Sequence, residues 1–319
     1  MESEIEHSQV SINGLNLHIA QIGKDELGTV VFLHGFPEIW YSWRHQMIAV
    51  AKAGYRAIAF DWRGYGLSDA PQDPENAAWE HLISDMLGIL DAFSISKAFF
   101  VAKDFGAFPA YQFALHYPDK TCGVISIGIP FSPMQGSVDP LPEGFYIKRW
   151  RDPGRAEADF SRFDVKQVVR TIYILFSKSE IPIAPEGKEI MDLADVSAPL
   201  PEWFTEEDLS TYASLYEKNG FKYPLQMPYR ALGRLENAPD QNAPDQKIEV
   251  PVLLIQGEED YVFKFPGFYE TIKEGTMQKY VPNLEISYMP EGTHFAQEQF
   301  PDQVNELIIH FLKGHPVNA

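Results

Sequence analysis

The chain has 319 residues, 45% of them apolar and 13% aromatic, enough to bury one large core or two smaller ones. Its formal charge of −19 is spread along the sequence without a cluster of lysines or arginines, which argues against nucleic acid and anionic membrane surfaces as partners. No run of about 18 apolar residues occurs, the opening MESEIEHSQV lacks the basic-then-apolar order of a signal peptide, and the lone cysteine, Cys122, cannot form an internal disulfide; a cytoplasmic protein without membrane insertion is expected.

SINGLNLHIAQIG reads as a hairpin, and apolar β-rich runs follow at TVVFLHG, YRAIAFDWRG, AFFVAKD, CGVISIGI, VPVLLIQG and LEISYMP. Apolar residues recur at helical spacing after HGFPE, around WEHLISDMLGILDAF, from 107 to 117 and in VNELIIHFL. Strands too apolar to alternate, separated by helices, predict a mostly parallel sheet covered on both faces, an α/β architecture. From about 131 to 245, prolines, aromatics and helical stretches such as AEADFSRFDVKQVVRTIYILF and TEEDLSTYASLYEKNG replace the strands. We therefore expect a core in two parts, 1–130 and 246–319, with a helical cap at 131–245. At the exit of the cap, NAPDQ at 237–241 is repeated at 242–246; its prolines mark a loop, to which no chemistry is assigned.

The stretch AFFVAKDFGAFPAYQFALHY places two opposite charges, Lys103 and Asp104, where an apolar strand turns into a helix. Small–x–acid–x–Gly at such a turn is the arrangement of a nucleophile elbow, with Asp104 as nucleophile and Ala102 and Gly106 as the small residues that a sharp turn requires. Capping of the helix by Asp104 is the competing reading, and these five residues alone do not separate the two. Downstream, VPVLLIQGEEDYVF sets a group of acids just past a strand, and LEISYMPEGTHFAQEQFPDQV sets His294 in the loop after the next one. The order nucleophile, acid, histidine puts Asp104, Asp260 and His294 at the C-terminal ends of three strands, where open parallel sheets gather their functional groups. A histidine oriented by a carboxylate takes a proton from water. Glu258 and Glu259 compete for the acid's role. Asp260 is preferred as the third residue after Gly257, where the strand-end turn brings a side chain back toward the histidine. His34, inside HGFPE, is read as positioning its loop.

Together HGFPEIWYSWRHQ, DWRGYGLSD, the Asp104 elbow, GEED and GTHF resemble the soluble epoxide hydrolases of the α/β-hydrolase superfamily, the plant enzymes in particular, over nearly the whole chain. The resemblance implies an α/β-hydrolase fold, a mostly parallel sheet flanked by helices with an inserted helical cap. It also implies hydrolysis of epoxides to vicinal diols through an alkyl-enzyme ester on Asp104, with water activated by His294 and Asp260. Two cap tyrosines of that family hydrogen-bond the epoxide oxygen: GFYIKRWRDPGRAEADF points to Tyr146 and QMPYRAL to Tyr229. A phenol, with a pKa of about 10, can supply that proton without being ionised at neutral pH. By the same resemblance the backbone N–H groups of Phe36 and Phe105 form an oxyanion hole, and no metal or organic cofactor is required. The implied partners are a hydrophobic epoxide and water, and the implied assembly is a monomer or homodimer.

The sequence departs from the family where Gly-His-Asp-Trp-Gly is replaced by Ala102-Lys103-Asp104-Phe105-Gly106. Phe105 keeps an aromatic wall but lacks an indole N–H. That weighs against a haloalkane or haloacid dehalogenase, the alternative enzyme with an aspartate nucleophile, which needs donors for the departing halide. A noncatalytic small-molecule-binding homologue is the other alternative; its signature would be loss of triad or cap residues, and all five are present. Neighbouring side chains on a strand and its turn point in different directions, so Lys103 is expected to face away from the substrate and to pair internally with Glu38 of HGFPE. Phe131, Trp150, Phe176 and Met227 suggest an apolar pocket.

Overall fold

In the computed structural model residues 4–132, 140–195, 197–236 and 246–317 are described. The repeat at 237–246 lies outside them except for Gln246. The chain opens with a hairpin of β1 (Glu6–Ile12) and β2 (Leu15–Ile22), turning through Asn13 and Gly14, both at positive φ. Asn-Gly is the pair that tolerates left-handed backbone at both positions of a two-residue turn. There follow β3 (Thr29–Leu33), α1 (Arg44–Lys52), β4 (Arg56–Phe60), α2 (Trp79–Ala92), β5 (Ala98–Lys103), α3 (Ala107–His116) and β6 (Thr121–Ile127). A helical segment comes next: α4 (Tyr146–Arg151), α5 (Arg155–Phe160), α6 (Val165–Phe176), α7 (Glu206–Tyr216), α8 (Lys222–Pro224) and α9 (Ala231–Glu236). The chain then returns through β7 (Val252–Gly257), α10 (Phe268–Lys273), α11 (Thr276–Tyr280), β8 (Leu284–Met289), α12 (Ala296–Gln299) and α13 (Pro301–Gly314).

The eight strands form one sheet in the order β1-β2-β4-β3-β5-β6-β7-β8. The pairs β1–β2 and β2–β4 are antiparallel and the remainder parallel. Every residue of β3, β5, β6 and β7 is buried, as inner parallel strands covered on both faces must be, whereas the edge strands β1 and β8 keep exposed positions. This is the α/β-hydrolase arrangement expected from the sequence. β3 lies between β4 and β5, so the chain reverses its direction of travel across the sheet there. The loops leaving β3 and β5 diverge and open a crevice at the carboxyl ends of the strands.

The helical segment between β6 and β7 starts its helices with local signals. Asp164 caps α6 by accepting from the Gln167 N–H at 2.7 Å. Thr205 and Asp208 form a reciprocal box at the start of α7, each side chain accepting from the other's N–H at 3.0 Å. Asp208 also receives Arg44 of α1 at 2.8 Å, and Arg44 reaches Glu298 of α12 at 2.7 Å. Glu298 in turn accepts from the hydroxyls of Tyr173 at 2.9 Å and Tyr212 at 3.1 Å. A buried ionic cluster is tolerated when its members satisfy one another, and this one ties α6 and α7 to the sheet's own helices.

Candidate active site

Asp104 sits at the tip of β5 with φ 51°, in the left-handed region, and the chain passes through a short turn, Asp104–Gly106, into α3. A non-glycine residue is costly there and persists where its surroundings over-determine it. Two glycines allow the close fit. A Cβ on Gly106 would stand 2.6 Å from the His34 carbonyl oxygen, and one on Gly35 would collide with the Asp104 side chain. The loop after β3 is held by His34, whose Nδ1–H donates to the Gly35 carbonyl at 2.8 Å while Nε2 accepts from the Trp62 N–H at 3.1 Å. That pattern requires neutral imidazole, and burial drives its pKa down to about 4. The loop so fixed directs the Phe36 N–H to Asp104 Oδ1 at 3.0 Å. Phe105, with the second expected N–H, follows Asp104 in the elbow.

Asp260 follows β7 and His294 lies in the loop after β8, and both are buried. Asp260 Oδ1 accepts from the Val262 N–H at 3.0 Å and lies 3.0 Å from His294 Nδ1. His294 Nε2 then faces Asp104 Oδ2 across 3.7 Å. Burial alone would raise the Asp260 carboxyl, but His294, the Lys103 charge and the Val262 N–H outweigh it and hold the group below the usual carboxylate range. Glu258 and Glu259 are exposed; Glu258 pairs with Lys273 at 3.5 Å and Glu259 bonds Ser179. Of the three acids considered, Asp260 is the one that meets the histidine.

Tyr146 opens α4 and Tyr229 lies in the bent segment Leu225–Arg230, both buried, with rings edge to face at 6.1 Å. Trp150 stands edge-on to each, at 5.1 Å and 4.9 Å, and Phe36 packs against Tyr229 at 5.2 Å. Phe176 bridges from Tyr146, at 5.0 Å, to the His294 ring at 6.3 Å. Burial, followed by neighbouring groups that include Asp104, pushes both phenols up, so they carry their protons at neutral pH. Of the four apolar residues expected in a pocket, Trp150 and Phe176 frame the tyrosines. Phe131 packs on Tyr111 at 5.4 Å, and Met227 lends its carbonyl to the Tyr65 hydroxyl at 2.6 Å.

Lys103 is fully buried and its Nζ lies 3.9 Å from Glu38 Oε2, the internal pairing expected from the sequence. Two neighbours were not anticipated. Gln297 donates to Glu38, and Tyr261, directly after Asp260, meets Tyr146 through its hydroxyl at 3.3 Å. Both adjoin motifs that were recognised, GTHF and GEED, which was the available signal.

A charged depression of about 520 Å³ beside α4 contains none of these side chains, and its Arg149 and Arg155 are taken up by Glu143 and Glu189. Among the described residues no group of three or more His, Cys, Asp or Glu is placed to hold a metal ion, and no helix is long and apolar enough to cross a membrane.

A family model for the alpha/beta hydrolase fold matches residues 28–300. Epoxide hydrolase 1 of Siraitia grosvenorii is 37% identical over 320 residues, spanning 97% of this chain and 99% of that protein. Bifunctional epoxide hydrolase 2 of Mus musculus is 31% identical across 99% of this chain and 57% of its own length. The solved structure of potato (Solanum tuberosum) epoxide hydrolase I matches with a TM-score of 0.88 at 35% identity, covering 97% of this chain and 99% of that one. With matches of this extent to both sequence and fold, the chain belongs to the α/β-hydrolase superfamily and, within it, to the family of plant-type epoxide hydrolases.

Proposed function

We propose that the protein hydrolyses epoxides to vicinal diols through a covalent ester on Asp104. The observation that carries this reading is that the residue facing His294 Nε2 across 3.7 Å is a carboxylate. A carboxylate attacking an epoxide carbon yields an ester that water can cleave, whereas one attacking an ordinary ester yields an anhydride. Because Oδ1 is engaged by the Phe36 N–H, Oδ2 is the attacking atom. As the Oδ2–carbon bond forms, the epoxide C–O bond breaks and its electron pair goes to oxygen, a poor alkoxide leaving group that needs an acid. Tyr146 and Tyr229 are the donors to that oxygen, and one of them gives up its proton.

In the second step His294, held by Asp260, takes a proton from water, and the water oxygen attacks the ester carbonyl of Asp104. The oxyanion develops on Oδ1, where the Phe36 and Phe105 N–H groups stabilise it by roughly 3–4 kcal/mol per donor. Collapse releases the diol oxygen, which receives the proton from His294. The proton lost as Asp104 returns to carboxylate restores the tyrosine. Epoxide and one water are thereby consumed and one diol formed.

On this reading residues 131–245 act as the cap that carries both tyrosines, with 1–130 and 246–319 as the two parts of the core. Trp150 and Phe176 beside the tyrosines favour an apolar substrate. The free, buried Cys122 favours a reducing, cytoplasmic location, and the assembly is read as a monomer or homodimer by family resemblance. Incubation with an aromatic epoxide and a fatty-acid epoxide tests the activity. Diol from at least one, lost in Asp104→Ala, is expected; no diol from either, with halide released from a haloalkane, would favour a dehalogenase instead.

A further inference from the structure

Tyr261 stands where an acid-bearing loop meets the helical segment. It is 1% exposed, its ring lies 4.9 Å from that of His294 and 5.2 Å from that of Phe176, and its hydroxyl is 3.3 Å from the Tyr146 hydroxyl. A hydrogen between two phenols can point either way. If Tyr146 gives its proton to the substrate oxygen, its own O–H is committed to that oxygen, and Tyr261 is left as the donor to Tyr146 Oη.

We propose that Tyr261 is a positioning residue for ring opening, acting through Tyr146. The inference rests on the epoxide-hydrolase reading and deepens it. In the resting site the Tyr261 O–H fixes the Tyr146 hydroxyl so that its proton points at the epoxide oxygen. As the ring opens, the Tyr146 O–H bond breaks, the proton goes to the alkoxide oxygen, and the electron pair stays on Tyr146 Oη as phenolate. The Tyr261 O–H remains intact and donates to that phenolate. A bond between neutral phenols thus becomes a charge-assisted one at the moment of reaction, and an interaction that is stronger in the transition state than in the ground state accelerates the step. The electrostatics agree: burial and the Asp104 charge push the Tyr146 phenol up, and the contact with Tyr261 pulls against them, while burial first and Tyr146 next keep the proton on Tyr261. The contact singles out Tyr146, rather than Tyr229, as the phenol that gives up its proton.

The test isolates ester formation in single-turnover rapid-quench experiments, with the adduct followed by intact-protein mass spectrometry and an epoxide that the wild-type protein converts. Tyr261→Phe keeps the ring against His294 and removes only the hydroxyl. Ester formation should slow about tenfold, the worth of one charge-assisted hydrogen bond, while ester hydrolysis changes by less than about twofold. In a Tyr146→Phe background the same change should cost less than about twofold, because the group it acts through is gone. Placing 3-fluorotyrosine at position 261, a stronger donor of the same shape, should speed ester formation. Unchanged ester formation in Tyr261→Phe, the full tenfold penalty in the Tyr146→Phe background, or no gain with the fluorinated residue overturns the inference alone. A wild-type protein that forms no ester with any epoxide overturns the parent reading and this one with it.

Discussion

Lys103 Nζ and Glu38 Oε2 lie 3.9 Å apart, with side chains 1% and 0% exposed, so the residue before Asp104 is paired inside the protein. The ammonium also stands 5.0 Å from the Phe295 ring and has no hydrogen-bond partner among the described residues. Glu38 Oε2 accepts from the Gly35 N–H at 3.1 Å, and Gln297 donates to Oε1. One ion pair therefore joins the loop that aims the Phe36 N–H, the end of β5, and the segment following His294. Burial pushes the Glu38 carboxyl up to about 7, with Lys103 pulling it back.

That balance fixes a pH dependence. The folded pKa of Glu38 lies above its ordinary 4.5, so the folded protein holds this proton more tightly than the unfolded chain does. The stabilisation is present below about 4.5 and is lost as pH rises through about 7. Removing Lys103 takes away the charge that pulls Glu38 down, so ionising Glu38 becomes costlier. Lys103→Met should lower stability by about 1 kcal/mol more at pH 8 than at pH 5, because a carboxyl with a folded pKa of about 7 can be protonated at pH 8 for about 1.4 kcal/mol and is protonated at pH 5 in either folded protein. Lys103→His should be tolerated. Urea unfolding at the two pH values checks this; an equal loss at both would contradict the pairing.

On the proposed mechanism the two half-reactions separate by mutation, with Asp104 serving alkylation and His294 hydrolysis. His294→Gln should accumulate an adduct of substrate mass on the protein, whereas Asp104→Ala should bind the epoxide without reacting. Intact-protein mass spectrometry reads both. Absence of an adduct in His294→Gln, with an epoxide that the wild type converts, would remove His294 from the hydrolytic step.

Tyr146→Phe and Tyr229→Phe each delete one hydroxyl and keep a ring that packs against Trp150. Each should slow ring opening roughly a hundredfold, the double change should nearly abolish it, and thermal midpoints should scarcely move. Undiminished alkylation in the double variant would place the acid elsewhere.

The hairpin and the inner strands are legible in the sequence because Asn13 and Gly14 favour one turn geometry, and because unbroken apolar runs such as AFFVAK suit a sheet covered on both faces. Helices α6 and α7 are legible as helical stretches in a segment without strands; their caps, Asp164 and Thr205, come from the structure. The segment Leu225–Arg230, with Pro228 inside and Met227 extended, has no such pattern, and Tyr229 is placed there only by resemblance. Motif order brings Asp104, Asp260 and His294 to one end of the sheet. Which of three consecutive acids turns inward depends on the bend that the Val262 N–H holds, and spacing alone does not encode it. Tyr261 and Gln297 sit near recognised motifs, but the partners that give them a role, Tyr146 and Glu38, lie 115 and 259 residues away along the chain. Contacts of that separation exist only once the sheet has formed.

The most direct measurement is a single turnover with protein in excess in oxygen-18 water, followed by mass analysis of the diol and of the peptide containing Asp104. Attack of water on the ester carbonyl predicts one labelled oxygen in the Asp104 carboxylate and an unlabelled diol. Label in the diol with none in Asp104 would show that water attacks the epoxide carbon itself, and would contradict the covalent mechanism.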